Sequence, residues 1–461
     1  MRILFVSIQS SPHTARWIQC IAGTGWDLHM FGINHDPPNK LLRGVTLHIP
    51  SMSNGKVHPP TPPGFKDRVR RFLDIARSDP GEGISIAKRK LSTLVSRSVA
   101  KLQSGSPSST VSVESQHHEP IRLAWFKPKK MIELGSLYRF GDTGAECDAL
   151  HGPASLAEVI DRIKPDLIHS MEFQHCAYLV QAARDQMGEH GFPPWLATNW
   201  GSDIYLFGRD PNHAPMIRRV LETANLYSCE CHRDVLLARE FGYRGPDLPV
   251  LPNSGAMDVA KLDGLRTNVK PSQRKKIMVK GYDHFAGRAM ISLSVLERLA
   301  HRLTDYEIIM YSVSARPRAR ALALRASGKL NIRVIDCAEH EEILACFAQS
   351  RLYLGVSISD AISTSVLEAM AMGCFPIQTN TSCCEEWFEN GVGGFSVPVI
   401  DEVITERVER ALLDDTLVDA AESVNRRVIE MRLDRDVIHP KVIDFYTQAR
   451  LFCEEAREGG R

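Results

Sequence analysis

The stretch Leu352 to Pro398 reads LYLGVSISDAISTSVLEAMAMGCFPIQTNTSCCEEWFENGVGGFSVP, and its pattern decides the fold. Leu352, Leu354 and Val356 alternate as in a strand; small polar residues follow; then Val366, Leu367, Ala369 and Met370 recur at helical spacing. Gly373 predicts the helix end, Phe375 to Gln378 a second strand, and Gly391, Gly393 and Gly394 a loop with unusual backbone angles. The unit is βαβ-like, with its first loop at the carboxyl end of a strand, where open parallel sheets bind ligands. That loop carries Asp360, and the helix after it carries Glu368.

A helix start at Ser363, Thr364 and Ser365 offers free N–H groups and a positive dipole end, which suits a diphosphate. One turn on, the Glu368 carboxylate can accept two hydrogen bonds from a ribose diol, and Asp360 can hold sugar hydroxyls. Together these describe a nucleotide sugar. A structural reading stands beside it: Ser365-x-x-Glu368 is also a capping box, in which Glu368 only satisfies backbone donors.

Asp360, seven intervening residues and Glu368, within SVLEAMAMGCFPIQTN, resemble the acid-x7-acid signature of retaining glycosyltransferases of the GT-B fold, of the family-four type that includes many bacterial surface-polysaccharide enzymes. Both acids are usually Glu in that family; here the first is Asp360. The resemblance implies an α/β fold of two Rossmann-like domains facing a central cleft: residues 1–258 for the acceptor, 259–436 for the nucleotide-sugar donor, and a helix from about 437 packing back on the first domain. It also implies transfer to a saccharide or lipid-linked acceptor with retention, no cofactor and no bound metal.

Length and composition agree with two domains. At 461 residues the chain exceeds what one core usually supports. With 43% hydrophobic and 24% charged residues it reads as globular, and a formal charge of +1 gives no pull toward nucleic acid. The 11 cysteines show no paired C-x-x-C elements, which argues against a disulfide framework or zinc site and for a reducing cytoplasm. Cys229-Glu230-Cys231 and Cys383-Cys384 could bind metal or simply pack. No signal peptide or membrane span is expected.

In chain order, Arg2 to Ser7 and Trp26 to Ile33 predict strands around a helix from His13 to Ile21, without a Gly-x-Gly-x-x-Gly dinucleotide fingerprint. His13 is an acceptor-side candidate by the resemblance, or an exposed helix N-terminal residue. From about 51 to 119 the pattern degrades into Pro and Ser clusters. Between Lys66 and Lys101, ten basic residues face four acidic ones, with apolar residues at roughly helical spacing. This suits peripheral binding to an anionic membrane, at its inner face, or a solvated helical surface.

The alternation then resumes: a helix from Leu156 to Ile163, strand Asp166 to Ser170, helix Ala177 to Met187 and strand Trp195 to Asn199. Trp200-Gly201-Ser202-Asp203 resembles the family's His-Gly-x-Asp turn, making Asp203 a second acceptor-side candidate or an Asx-turn residue. Lys261 to Lys276 reads as a linker. After strand Ile277 to Val279, the loop from Lys280 to Arg288 stands where the family carries cations that grip the diphosphate, so Arg288 and Lys280 inherit that role by resemblance, or are surface charges. The same architecture also serves epimerases and hydrolases, and a non-catalytic nucleotide-sugar-binding protein is the alternative of another class.

Overall fold

A computed structural model describes residues 1–33, 36–50, 120–126 and 152–459. The basic segment between Lys66 and Lys101 lies outside the described residues. Seven parallel strands form the first sheet: β1 (Arg2–Ser7), β2 (Asp27–Gly32), β3 (Thr46–Pro50), β4 (Arg122–Phe126), β5 (Leu167–Met171), β6 (Trp195–Thr198) and β7 (Leu226–Ser228). Their spatial order is β4-β3-β2-β1-β5-β6-β7. The second sheet holds β8 (Lys276–Lys280), β11 (Glu307–Tyr311), β12 (Ile332–Ile335), β13 (Leu352–Gly355), β14 (Phe375–Thr379) and β15 (Phe395–Val397), also parallel, in the order β12-β11-β8-β13-β14-β15. A two-residue ribbon, β9 (Asp283–His284) with β10 (Gly287–Arg288), follows β8.

Both sheets are doubly wound. The second has the 3-2-1-4-5-6 Rossmann order, and the first repeats it with one extra edge strand. Each order reverses once, between β1 and β5 and between β8 and β13. The inner strands are apolar on both faces because helices cover both: Leu4 and Val6 join one core while Ile3 and Phe5 join the other, and Ile277 and Val279 alternate likewise with Met278.

Six helices carry or brace the groups of functional interest: α1 (Pro12–Gln19), α2 (His232–Glu240), α3 (Ala289–Arg298), α4 (His340–Ala348), α5 (Thr364–Ala371) and α6 (Arg435–Gly459). The last crosses back onto the first sheet. Its Tyr446 hydroxyl accepts from Trp17 Nε1 (2.8 Å) and meets His169 Nδ1 at 2.7 Å, while Ile438, Val442 and Phe445 enter the first core. Among the described residues no helix is long and apolar enough to cross a membrane.

Two expectations are corrected. The connection from Lys261 to Lys276 is packed rather than slack: it begins within a short helix, Val259–Asp263, with Leu262 buried, and its Arg274, 4% exposed, donates to Gly373 O (2.8 Å) and Glu422 Oε1 (3.1 Å). Of the three glycines before β15, only Gly391 has a positive φ, +85°. Gly393 and Gly394 are needed for room instead, since a Cβ would stand 2.5 Å from Asn425 Oδ1 and 2.8 Å from Pro376 O.

Candidate functional site

At the reversal point of the second sheet, β8 ends on Lys280, half-buried, its ammonium 4.9 Å from the Tyr282 ring centre. Burial works against that charge, but the Asp360, Tyr353, Tyr282 and Glu368 side chains more than offset it, so its pKa lies above the usual lysine value. The β9–β10 ribbon turns the chain into α3, and the Arg288 N–H at its end donates to Val356 O (2.6 Å), tying the ribbon to the loop after β13. The Arg288 guanidinium makes no side-chain hydrogen bond or ion pair among the described residues. Burial, then Lys280 and Arg288, push His284 below the usual imidazole value.

β13 delivers Asp360 to the same place. Burial raises its carboxyl and Lys280 pulls it back down, with the net shift upward. Ser363 is the N-cap of α5, and the amides of Thr364 and Ser365 make no backbone hydrogen bond among the described residues. The capping-box reading fails on register. With Ser363 at the cap, Ser365 is already inside the helix, where its Oγ accepts from the Tyr311 hydroxyl (2.7 Å). Glu368, 6% exposed, meets His340 Nε2 at 2.6 Å, and that nitrogen also lies 3.3 Å from Arg16 on the first half.

From the first half, the loop after β1 brings His13. Ser11 caps α1 by accepting from the His13 N–H (3.2 Å), and the His13 ring turns inward against Trp200, 5.6 Å between centres. It is therefore not a solvent-exposed helix-end histidine. Its Nδ1 is buried without a hydrogen-bond partner among the described residues, as is Trp200 Nε1. Burial, then Arg16 and Lys280, lower the imidazole to about 4, against an opposing pull from Glu368.

Asp203 is placed differently. It is 5% exposed, its Oδ2 accepts from the Trp200 (2.8 Å) and Phe173 (3.0 Å) amides, and its own carbonyl accepts from Gln174. That is the turn-bracing arrangement, inside the wall. Burial and Glu172 push it up to about 8. Of the two buried carboxyls, Glu172, which pairs with His175 and accepts from the Gln174, His175 and Cys176 amides, is the one held below its usual value. Glu172 achieves this with a positive φ of 85°, at the reversal point of the first sheet.

The two halves touch here. Gly201, at φ +75°, leaves no room for a side chain: a Cβ would lie 2.3 Å from Ala361 N. Ser359 Oγ donates to Ser202 Oγ (2.8 Å), and Arg233 donates to the carbonyls of Asp360 (2.9 Å) and Thr381 (3.1 Å). Glu230 accepts from the Asn253 amide (2.7 Å), and burial followed by Asp360 raises its carboxyl well above the usual range. Sequence reading missed Arg16, Arg233 and His340. Each sits in an ordinary polar helix or strand end, and only the meeting of two distant segments gives it a role.

Cations, acids and free amides thus converge at a sheet reversal, with a neutral imidazole opposite, an arrangement suited to a charged leaving group. Two family models match the chain: glycosyl transferase 4-like over residues 130–230 and glycosyl transferases group 1 over residues 294–429. The chain belongs to the GT-B glycosyltransferases of the family-four type. No curated protein sequence matches it. Among solved structures, a sucrose-phosphate synthase from Thermosynechococcus elongatus shares the fold with a TM-score of 0.63 at 12% identity, covering 97% of this chain and 99% of that one. Anabaena HepE in complex with UDP gives 0.57 at 13%, covering 97% and 100%. The pneumococcal O-GlcNAc transferase GtfA in complex with UDP and GlcNAc gives 0.59 at 11%, covering 98% and 99%.

Proposed function

We propose that the protein transfers a sugar from a nucleotide-sugar donor to a saccharide or lipid-linked acceptor, with retention of anomeric configuration and no divalent metal at the diphosphate. One observation carries this reading: Lys280 at the end of β8, the ribbon end at Arg288 bonded to the loop after β13, Asp360 on that loop, and the free first-turn amides of α5 with Glu368 one turn on belong to one sheet reversal. The UDP in the HepE and GtfA structures supports a nucleotide donor.

On this reading Glu368 takes the ribose diol, and Ser363, Thr364 and Ser365 present amides to the diphosphate. Lys280 and Arg288 stabilise the charge that grows on it as the glycosidic bond breaks. Asp360 holds hydroxyls of the sugar. His13, neutral and with Nδ1 free, faces the acceptor, and Asp203 supports that side by holding the Trp200 loop. The setting is the cytoplasm, with the basic segment between Lys66 and Lys101 on an anionic membrane surface.

A thermal-shift screen of nucleotide sugars tests the donor, since a ligand at about 100 Kd stabilises by roughly 2.7 kcal/mol. Product analysis then decides the reaction. Transfer with the donor's anomeric configuration supports the proposal; free sugar alone indicates a hydrolase, and binding without turnover a non-catalytic protein. Sedimentation with anionic liposomes at low salt and release at high salt tests the location; unchanged sedimentation after deleting residues 66–101 overturns it.

A further inference from the structure

A second cluster joins the halves beside Arg233. Cys231 and His232 lie at the start of α2 in the first half, Cys383 and Glu386 between β14 and β15 in the second. The Cys231 and Cys383 sulfurs and a Glu386 carboxylate oxygen lie within 4.8 Å of one another. Their backbone is anchored on both sides. Cys383 N–H donates to Ala361 O (2.6 Å), Cys231 O accepts from Asp234 N–H (3.2 Å), and Arg432 donates to the Glu386 carbonyl. His232 holds the Glu386 carboxylate through its amide (2.9 Å) and Nδ1 (2.9 Å).

We propose that this is a zinc site, with Cys231 Sγ, Cys383 Sγ and a Glu386 oxygen as ligands, a fourth position left to solvent, and His232 orienting the Glu386 carboxylate from outside the ligand set. Two sulfurs with one carboxylate oxygen select zinc over the hard cations, which prefer oxygen alone. Ligand atoms around one tetrahedral zinc stand roughly 3.3–3.8 Å apart for bonds of about 2.0–2.3 Å, so small side-chain rotations suffice. Two thiolates and a carboxylate around Zn²⁺ leave one negative charge, and the Arg233 guanidinium, which interacts with both sulfurs, offsets it. The exposed His232 ring and the part-exposed Glu386 give the ion a way in.

The cysteines of this site are 152 positions apart in sequence, so no short metal motif announces it. Its effect is to staple the halves. Arg233 also holds the Asp360 carbonyl, so a filled site stiffens the loop that carries Asp360 without touching the diphosphate groups.

The test is zinc uptake by the full chain, reduced and stripped of metal, titrated with Zn²⁺ alone against a chromophoric chelator and read without donor or acceptor. One equivalent is expected to bind and to raise the melting temperature. Cys231→Ser and Cys383→Ser should each weaken binding by more than about 100-fold, beyond the loss caused by removing an outer-shell partner. Cys337→Ser, at an exposed cysteine, should bind as the parent does. Unchanged uptake in both ligand variants overturns the site, as does absence of stoichiometric binding in the reduced parent. If the serine variants fail to fold, Glu386→Gln decides, because it leaves both thiols in place: unchanged zinc affinity there also overturns it.

Discussion

The two halves share a strand order but treat charge in opposite ways. Around the first sheet's reversal point three ionisable groups are held neutral, with Glu172 the charged exception: His13 is lowered to about 4, Asp203 is pushed up to about 8 and Glu230 is raised well above its usual range, each chiefly by burial. At the second sheet's reversal point Lys280 is kept charged against burial, and both it and Arg288 act on His284 in the ribbon that follows β8. Duplicating a topology therefore does not duplicate its chemistry. A wall that interacts with neutral hydroxyls needs directed dipoles without net charge, whereas a wall that receives a departing diphosphate needs fixed cations.

Arg288→Ala should break the charged side most severely. Negative charge on the diphosphate grows toward the transition state, so a fixed cation acts more strongly there than on bound donor. Removing one such group typically lowers the rate by about 10² to 10³. Single-turnover rates with saturating donor should fall by that much with a smaller change in donor affinity, and neither adding nor omitting Mg²⁺ or Mn²⁺ should matter. Restoration of the rate by Mg²⁺ would assign the leaving-group charge to a metal instead.

Glu368→Ala should act on binding. A hydrogen bond to a charged group contributes about 1.5–3 kcal/mol, so the net loss of even one should drop donor affinity roughly tenfold to a hundredfold while melting changes little. A variant that melts several degrees lower and binds donor normally would reduce Glu368 to a partner for His340.

On the neutral side, Asp203 should tolerate loss of its charge but not of its oxygen. Asp203→Asn keeps an acceptor for the Trp200 and Phe173 amides and should melt near the parent. Asp203→Ala leaves both buried donors unpaired, at about 1–3 kcal/mol each, and should melt several degrees lower. The pH dependence has a definite sign. Between the unfolded carboxyl value of about 4 and the folded value of about 8, the folded parent holds a proton that the unfolded chain has lost. The parent therefore gains stability on acidification through that window and Asp203→Asn does not, so the variant should compare best at pH 8 and worst near pH 4. A constant difference across the range would mean Asp203 is ionised in the wall.

The smallest effect concerns His169, buried between Tyr446 and Thr198 and lowered by burial to about 3. Its unfolded counterpart takes a proton near pH 6.5, so the parent loses this stability as the pH falls from about 6.5 toward 3. His169→Gln lacks that loss. Its deficit in denaturation midpoint should narrow between pH 7 and pH 4, and a widening deficit would show that the native imidazole is charged.

Much of the fold was legible because buried parallel strands are short apolar runs with little else to become. Arg2–Ser7 has the bounds its sequence predicts, and β5 and β6 lie within one residue of the strands read at Asp166 to Ser170 and Trp195 to Asn199. The edge strand β4 and its neighbour β3 were not legible, since β3 ends in Pro50 and the two are separated by the stretch from 51 to 119. The π-helical turn at Phe173–Ala177 was equally hidden, because Glu172 creates it by accepting amides three and four residues ahead. Within the site, the residues proposed for the donor share one local motif and one loop. The groups that pin the halves together, Arg233, Arg16 and His340, carry no local pattern.

The crossing of α6 has a consequence for the order of biosynthesis. Residues 276–433 hold every strand of the second sheet in one run, so that half can close soon after it leaves the ribosome. The first sheet begins at Arg2, yet its core waits for Phe445 and Tyr446, made long after its last strand. The half translated first is thus completed last, contrary to the usual vectorial order. A chaperone acting on the nascent chain would find its apolar client surface on β1 and α1, where α6 has yet to arrive.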